Sequence, residues 1–142
     1  VLDASPFEEP AFDWGMKPTR AAEPVEGDLF TYWESLPEGQ LDLIVSNPPY
    51  IPQRERRAMR RNVTEYEPDT ALFVPDDDPL RFYRAIARAG RQMLTPGGRL
   101  WFEIYERAAA EIVRMLGAEG YTDTEVREDL FGKPRMVCTR LK

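Results

Sequence analysis

The clearest pattern in the chain is an apolar run at residues 41–46 that ends in Asn47, Pro48, Pro49 and Tyr50, here called the 47–50 loop. A continuous apolar run of this length, stopped by two prolines, predicts a buried strand that ends in a rigid loop. Ligands of open α/β sheets bind at such strand ends, and the prolines leave stiffly held carbonyl oxygens as hydrogen-bond acceptors. The loop is therefore a candidate site, with an ordinary Pro-Pro turn as the alternative.

The chain before this strand shows weaker patterns. Residues 1–24 predict no continuous helix, because four prolines interrupt them. Residues 25–30 predict a short strand that ends near Asp28, and residues 31–40 predict a helical turn or loop. After the 47–50 loop, residues 53–61 favour a helical turn, and residues 62–74 show no period.

From Asp78 onward the pattern is sharper. Helical spacing of apolar residues from Leu80 to Leu94 predicts a helix, with Asp78 as its N-cap and Pro79 at its first position. The run Thr-Pro-Gly-Gly at residues 95–98 ends that helix. The apolar residues 100–105 then predict a strand whose one carboxylate, Glu103, either contacts substrate, is solvated or is paired within the fold.

The remaining elements complete an α/β pattern. Residues 107–118 predict a second helix, with Gly117 or Gly120 just past its end. Residues 121–128 and 135–141 predict two strands joined as a hairpin. Alternating strands and helices followed by a hairpin indicate a mainly parallel sheet with an antiparallel end. We expect Trp101, Phe102 and Tyr105 to belong to the core.

Composition narrows the class of protein. A chain of 142 residues with 42% hydrophobic and 31% charged residues suits a single globular domain. No apolar stretch approaches the roughly 20 residues of a membrane span, and no basic segment precedes an apolar one at the start. We therefore expect a cytoplasmic protein without a membrane partner.

The residue types also limit the chemistry. The chain has no histidine and a single cysteine, Cys138, which excludes histidine-based triads, the common zinc sets and an internal disulfide. Catalysis without metal must then rely on amides, carboxylates, hydroxyls or backbone groups. We expect Cys138 to be a buried or half-buried strand residue.

Charge argues against a dedicated nucleic-acid binder. The net charge is −6, whereas nucleic-acid affinity comes largely from neutralising phosphates. Two charged clusters stand out, and a solvated surface is the favoured interpretation of both, because charge runs usually face water. They are an arginine cluster (Arg54, Arg56, Arg57, Arg60, Arg61) and an acidic run (Asp76, Asp77, Asp78).

Residues 41–52 resemble the substrate-loop signature of the protein-(glutamine-N5) methyltransferases that modify peptide-chain release factors. The resemblance covers residues 25–142 and continues in order through Tyr66-Glu67-Pro68, Ala71-Leu72, Phe82-Tyr83-Arg84 with Ile86, Pro96-Gly97-Gly98, Glu103-Ile104 and Asp129-Leu130-Phe131-Gly132 with Arg135. We therefore interpret residues 1–142 as a partial methyltransferase catalytic domain, in which residues 1–24 match poorly. The helical N-terminal domain with which such enzymes dock their substrate is not in this sequence.

The resemblance implies a class I S-adenosylmethionine-dependent fold, incomplete at its N-terminus, whose cofactor is S-adenosylmethionine and whose partner is a release factor. It implies that Asn47 and the Pro48 carbonyl hold the amide of the target glutamine, in the Gly-Gly-Gln loop of the factor. Pro49 stiffens the loop and Tyr50 walls the pocket. On the cofactor side it implies Asp28 and Leu29 beside the adenine, Asn47 near the cofactor and Asp3 at the ribose.

Several departures from the family keep other hypotheses open. No Gly-x-Gly-x-Gly loop is present, residues 74–78 replace a common Gly-rich pair, and Arg107 replaces a frequent glutamine. Because Asn-Pro-Pro-Tyr also occurs in adenine-N6 methyltransferases, a DNA or RNA substrate is one alternative. Another is a non-catalytic fragment that cannot hold cofactor alone, since loss of the family's central first strand exposes sheet edges.

Overall fold

The computed structural model describes residues 25–53 and 73–142. In this part of the chain, two helices pack on a four-stranded mixed sheet whose strand order is β1-β4-β6-β5. The strands are β1 Leu41–Ser46, β2 Ile51–Pro52, β3 Phe73–Val74, β4 Leu94–Glu103, β5 Tyr121–Glu128 and β6 Pro134–Leu141. The helices are α1 Arg81–Met93 and α2 Ala109–Ala118, and 3-10 turns occupy Tyr32–Ser35 and Glu106–Ala108. Strands β2 and β3 form a separate parallel pair.

Strand pairing brings three chain segments to one edge of the main sheet. β1 pairs with β4 in parallel, with Ser46 opposite Phe102, so both strands end at the same edge. β6 is antiparallel to β4, and Met136 near its start lies opposite Glu103. The hairpin between β5 and β6 therefore turns at this edge as well. We call it the carboxyl edge; the predicted antiparallel end of the sheet is confirmed.

The hydrophobic core lies between the sheet and the two helices. The Tyr83 ring of α1 meets Phe102 of β4 edge-on, with the centroids 5.1 Å apart. The Tyr121 hydroxyl donates to the Ala87 carbonyl at 2.7 Å, which satisfies a polar group inside the core. The buried residues of this cluster are Leu80, Tyr83, Ile86, Ala87, Leu94, Leu100, Phe102, Ile104, Ile112, Leu116, Tyr121 and Val137.

β1 has the predicted bounds, but the prediction that it is buried is wrong for the described structure. It is an edge strand of the four-stranded sheet, with Leu43 52% and Val45 69% exposed. Ile44 between them packs against the core. Because successive side chains of a strand point to opposite faces, the helices cover only the Ile44 face. Burial of the other face needs a neighbour that residues 25–53 and 73–142 do not supply.

The strand predicted at residues 25–30 is also wrong. Residues 25–28 are irregular and a turn follows. The Asp28 carboxylate accepts a hydrogen bond from the Phe30 N–H at 2.7 Å, and its carbonyl accepts from Tyr32 N–H at 2.8 Å. An aspartate that binds the backbone two residues ahead favours a turn over a strand. The helical turn predicted within residues 31–40 is confirmed at Tyr32–Ser35.

The first helix begins later than predicted. α1 starts at Arg81, and neither Asp78 nor Pro79 takes the predicted position. The Asp78 carboxylate accepts from Arg84 Nη1 at 3.0 Å, so this ion pair takes the place of a cap on the backbone. The predicted end is confirmed, since α1 stops at Met93. Residues 95–98 lie within β4 as an irregularity, where Leu41 pairs with Leu94 but Leu43 pairs with Arg99.

The second helix and the hairpin follow the prediction closely. A 3-10 turn precedes α2. Gly120, just past the end of α2, has a φ of 92°, a backbone conformation that favours glycine. Cys138 is buried in β6, as expected. Phe102 lies in the core, whereas Trp101 and Tyr105 are only half-buried.

Asp3, the arginine cluster and residues 62–72 lie outside the described residues. Among the described helices, none has the length and apolarity to cross a membrane.

We expect the α2 face of the core to carry much of the stability. Ile112 is fully buried, so replacing it with alanine should lower the free energy of unfolding by about 2–5 kcal/mol. The half-buried neighbour Val113 is a matched control whose alanine variant should lose less than half as much. Urea unfolding followed by circular dichroism measures both values. Equal losses would contradict this account of the core.

Candidate active site

The 47–50 loop lies at the carboxyl edge, directly after β1. Pro48 is buried, Pro49 and Tyr50 are half-buried, and Asn47 is exposed. The chain then enters β2, which pairs with β3, so the loop is tied to strands at both ends. Prolines restrict its backbone further. The sequence thus produces a fixed loop that presents the Asn47 carboxamide to solvent.

Tyr50 is held by contacts with the end of β4. Its hydroxyl donates to Glu103 Oε1 at 2.9 Å. Its ring stacks nearly parallel to Tyr105, with 6.4 Å between centroids and 12° between planes. Among the roles that the sequence leaves open for Glu103, the structure shows pairing within the fold. The pair depends on β1 and β4 ending side by side, a relation across 53 positions that local sequence pattern does not reveal.

The electrostatic surroundings keep Tyr50 protonated. Burial, the hydrogen bond to Glu103 and the negative charge of that carboxylate raise the pKa of Tyr50 to about 12, although Arg135 acts in the opposite direction. The phenol is therefore neutral at physiological pH and acts as a donor. It is not positioned or tuned to serve as a general base.

Arg135 and Asp129 extend this network into the hairpin. Arg135 lies within electrostatic reach of both Tyr50 and Glu103. Its Nη2 donates to Asp129 Oδ2 at 3.1 Å and its Nε to the same oxygen at 3.3 Å. Hydrogen bonds from Lys133 and Phe131 N–H, together with Arg135, hold the pKa of Asp129 below its usual value. Sequence reasoning included both residues in the family resemblance but assigned them no role; an opposite-charge pair flanking a turn was the available signal.

Asp28 and Leu29, the expected cofactor residues, lie on the α1 side of the carboxyl edge. Phe30 packs on Phe82 with 5.5 Å between ring centroids, and this ties the segment to the start of α1. The start of α1 is in turn tied to β4, because the Tyr83 hydroxyl donates to the Glu103 carbonyl at 3.2 Å. Both Asp28 and Leu29 are exposed. Asp3 lies outside the described residues.

The 47–50 loop is separate from three surface cavities of the described chain. Each of these three cavities is lined by residues other than Asn47, Pro48, Pro49 and Tyr50. Within the same residues, no group of three or more histidine, cysteine, aspartate or glutamate side chains is placed to hold a metal ion. The candidate site is therefore defined by a polar loop at the carboxyl edge and by the residues that support it.

Comparison with curated proteins gives close matches over most of the chain. It is 51% identical over 96 residues to the release factor glutamine methyltransferase of Bacteroides thetaiotaomicron, covering 68% of this chain and 34% of that protein. The Geobacter sulfurreducens and Cereibacter sphaeroides proteins of the same name are each 40% identical and cover 82% and 84% of this chain. The chain spans only 39% and 42% of those two proteins. No family model matches the chain.

Solved structures with the same architecture are more distant in sequence. A putative DNA modification methylase from Thermus thermophilus aligns with a TM-score of 0.54 at 17% identity, over 81% of this chain and 52% of that one. Its complex with S-adenosyl-L-methionine aligns with a TM-score of 0.51 at 18% identity. At this identity the likeness shows the fold alone.

These findings identify the fold as part of the class I S-adenosylmethionine-dependent methyltransferase fold. Within that class, the sequence is related to the release factor glutamine methyltransferases. The resemblance expected from the motifs is thus confirmed.

The Tyr50–Glu103 contact yields a direct prediction. Replacing Glu103 with glutamine keeps an oxygen acceptor but removes the charge that disfavours the phenolate, so the pKa of Tyr50 should fall. Carbon NMR of ring-labelled tyrosine follows this titration, and the Tyr50→Phe variant assigns the signal. An unchanged Tyr50 titration in Glu103→Gln would contradict the contact.

Proposed function

We propose that the protein transfers a methyl group from S-adenosylmethionine to the side-chain amide nitrogen of the glutamine in the Gly-Gly-Gln loop of peptide-chain release factors. The observation that supports this most is the 47–50 loop, which places an exposed carboxamide next to a stiffly held prolyl carbonyl at the carboxyl edge. The names of the curated relatives support the substrate class.

The proposed chemistry requires acceptors more than a base. An amide nitrogen is a weak nucleophile because its lone pair is delocalised into the carbonyl. The Asn47 side-chain oxygen and the Pro48 carbonyl would each accept one of its two N–H groups, which favours the pyramidal nitrogen needed for attack. Fixed acceptors directed at developing positive charge are the counterpart of an oxyanion hole. The methylated amide then loses its extra proton readily to water.

Tyr50 fits a supporting role in this scheme. Its hydroxyl is engaged with Glu103 and its ring lies against Tyr105, so the side chain forms a fixed wall directly after the acceptors. A fixed wall and stiff prolines limit reorganisation and keep the target nitrogen in an attacking position. Because its pKa is about 12, Tyr50 stays protonated at physiological pH. This suits a side chain that lines the pocket and argues against proton abstraction by Tyr50.

The cofactor supplies the electrophilic methyl group on a sulfonium. Asp28, Leu29 and Asn47 would hold it. Leu29 is 40% exposed and could pack on a purine ring, and Asp28 has one oxygen not taken by Phe30 N–H. These residues fit one side of such a site. The proposed role of Asp3 at the ribose rests on the family resemblance alone.

Asn47 carries the central prediction of this proposal. Replacing it with alanine removes one of two preorganised acceptors, so turnover should fall by about two to three orders of magnitude. Gln40, exposed at the opposite end of β1, is the matched control, and its alanine variant should keep normal turnover. Transfer of labelled methyl from S-adenosylmethionine to a purified release factor measures both. Near-normal activity of Asn47→Ala would rule out the assignment.

The cofactor assignment predicts a separable effect of the Asp28 charge. Asp28→Asn keeps an oxygen for the Phe30 turn but loses the negative charge, whereas Asp28→Ala loses both. S-adenosylmethionine affinity, measured by calorimetry, should weaken by about tenfold or more in Asp28→Ala, with Asp28→Asn in between. Binding by neither variant nor the unmodified protein would favour the non-catalytic hypothesis.

A nucleic-acid substrate is the competing enzyme function. The likeness to a putative DNA modification methylase does not favour it, because that likeness shows the fold alone. The net charge of −6 weighs against it. Offering DNA and RNA in the same methyl-transfer assay tests it directly.

Since release factors act on ribosomes, we propose the cytoplasm as the compartment.

A further inference from the structure

The turn between β5 and β6, residues 129–133, presents two large apolar side chains to water. Leu130 is 101% and Phe131 87% exposed, and they are the two most exposed large apolar residues of the described chain. Single exposed apolar residues are common on protein surfaces, but two adjacent ones at a protruding tip form a small patch. We call this patch the 130–131 tip.

The turn that carries this tip is closely held. Asp129 N–H donates to the Lys133 carbonyl at 2.8 Å, and Gly132 N–H donates to the Asp129 carbonyl at 3.0 Å. Asp129 Oδ1 accepts from Phe131 N–H at 2.9 Å and from Lys133 N–H at 3.1 Å. Arg135 engages the second carboxylate oxygen. An exposed apolar surface on a rigid backbone binds a partner with little further loss of chain entropy.

The 130–131 tip is tied to the candidate active site. The Ile104 N–H donates to the Arg135 carbonyl at 2.9 Å, and Lys133 Nζ pairs with Glu106 Oε2 at 3.1 Å. Both contacts join the base of the turn to the chain just after β4. Arg135 binds Asp129 on one side and lies beside Tyr50 on the other. The tip thus projects from the same edge that carries Asn47.

We propose that the 130–131 tip is a docking surface for the protein substrate, on which an apolar patch of the release factor packs while its glutamine enters the 47–50 loop. This inference rests on the proposed function. A protein partner fits better than a nucleic acid, because the two cations beside the tip are paired: Lys133 of the turn with Glu106, and Arg135 of β6 with Asp129. Phosphate recognition needs cations that are available to the ligand.

The test uses Leu130→Ser and Phe131→Ser in the protein as it exists, with a purified release factor as the probe. Full burial of a Leu or Phe side chain corresponds to about tenfold or more in affinity. Each variant should therefore raise the calorimetric Kd and the KM for the release factor about tenfold. Turnover at saturating release factor and the affinity for S-adenosylmethionine should stay unchanged, because neither residue contacts the loop.

Val126→Thr is the matched control, since Val126 lies on β5 of the same hairpin, is 42% exposed and keeps its shape as threonine. Its Kd for the release factor should match that of the unmodified protein. An unchanged Kd in both serine variants, or an equal loss in Val126→Thr, would overturn the docking surface while leaving the proposed function intact. Failure of the unmodified protein to methylate the release factor would overturn the proposed function itself.

Discussion

Parallel pairing of β1 with β4 is the constraint on which the described structure depends. The pairing makes an apolar run near the start of the described chain and a second one more than fifty positions later end side by side. Only then do the 47–50 loop and Glu103 meet, and only then does the loop acquire a fixed orientation. The antiparallel return of β6 against β4 adds the 129–133 turn to the same edge. Site geometry is thus a consequence of sheet register.

A connected set of polar contacts stabilises that edge. Tyr50 donates to Glu103, Arg135 lies beside both, and Asp129 binds Arg135 and two backbone N–H groups of the turn. Hydrogen bonds that involve a charged group are stronger where the partners are shielded from water, as at half-buried Tyr50, than at an exposed turn. The consequence for function is rigidity. The same set of contacts therefore holds both the 47–50 loop, proposed to bind the target amide, and the 130–131 tip, proposed to dock the substrate.

Much of this fold could be predicted from the sequence, because strand and helix periods are local signals. The bounds of β1 and β5 were predicted to the residue, and those of α2 within two residues. The predictions that were wrong concern residues whose structure depends on the groups that they contact. Asp78 was predicted to cap α1 but pairs with Arg84, and Asp28 binds its own turn where a strand was expected. β1 has the apolar sequence of a buried strand. One of its faces is nevertheless exposed, because the described residues include no element that covers it.

In the candidate site, too, local features could be predicted from the sequence, whereas contacts between distant residues could not. The position of the 47–50 loop at a strand end followed from pattern, and the family followed from motifs. The pairing of Tyr50 with Glu103 and the role of Asp129 did not, because they join residues that are distant in sequence or depend on the exact shape of a turn.

The most direct test of the proposed activity is the site of methylation on a release factor incubated with the protein and S-adenosylmethionine, located by fragment mass spectrometry. We expect one added methyl group on the side-chain nitrogen of the glutamine in the Gly-Gly-Gln loop. A methyl group on another residue, or transfer to nucleic acid with the release factor unmodified, would contradict it.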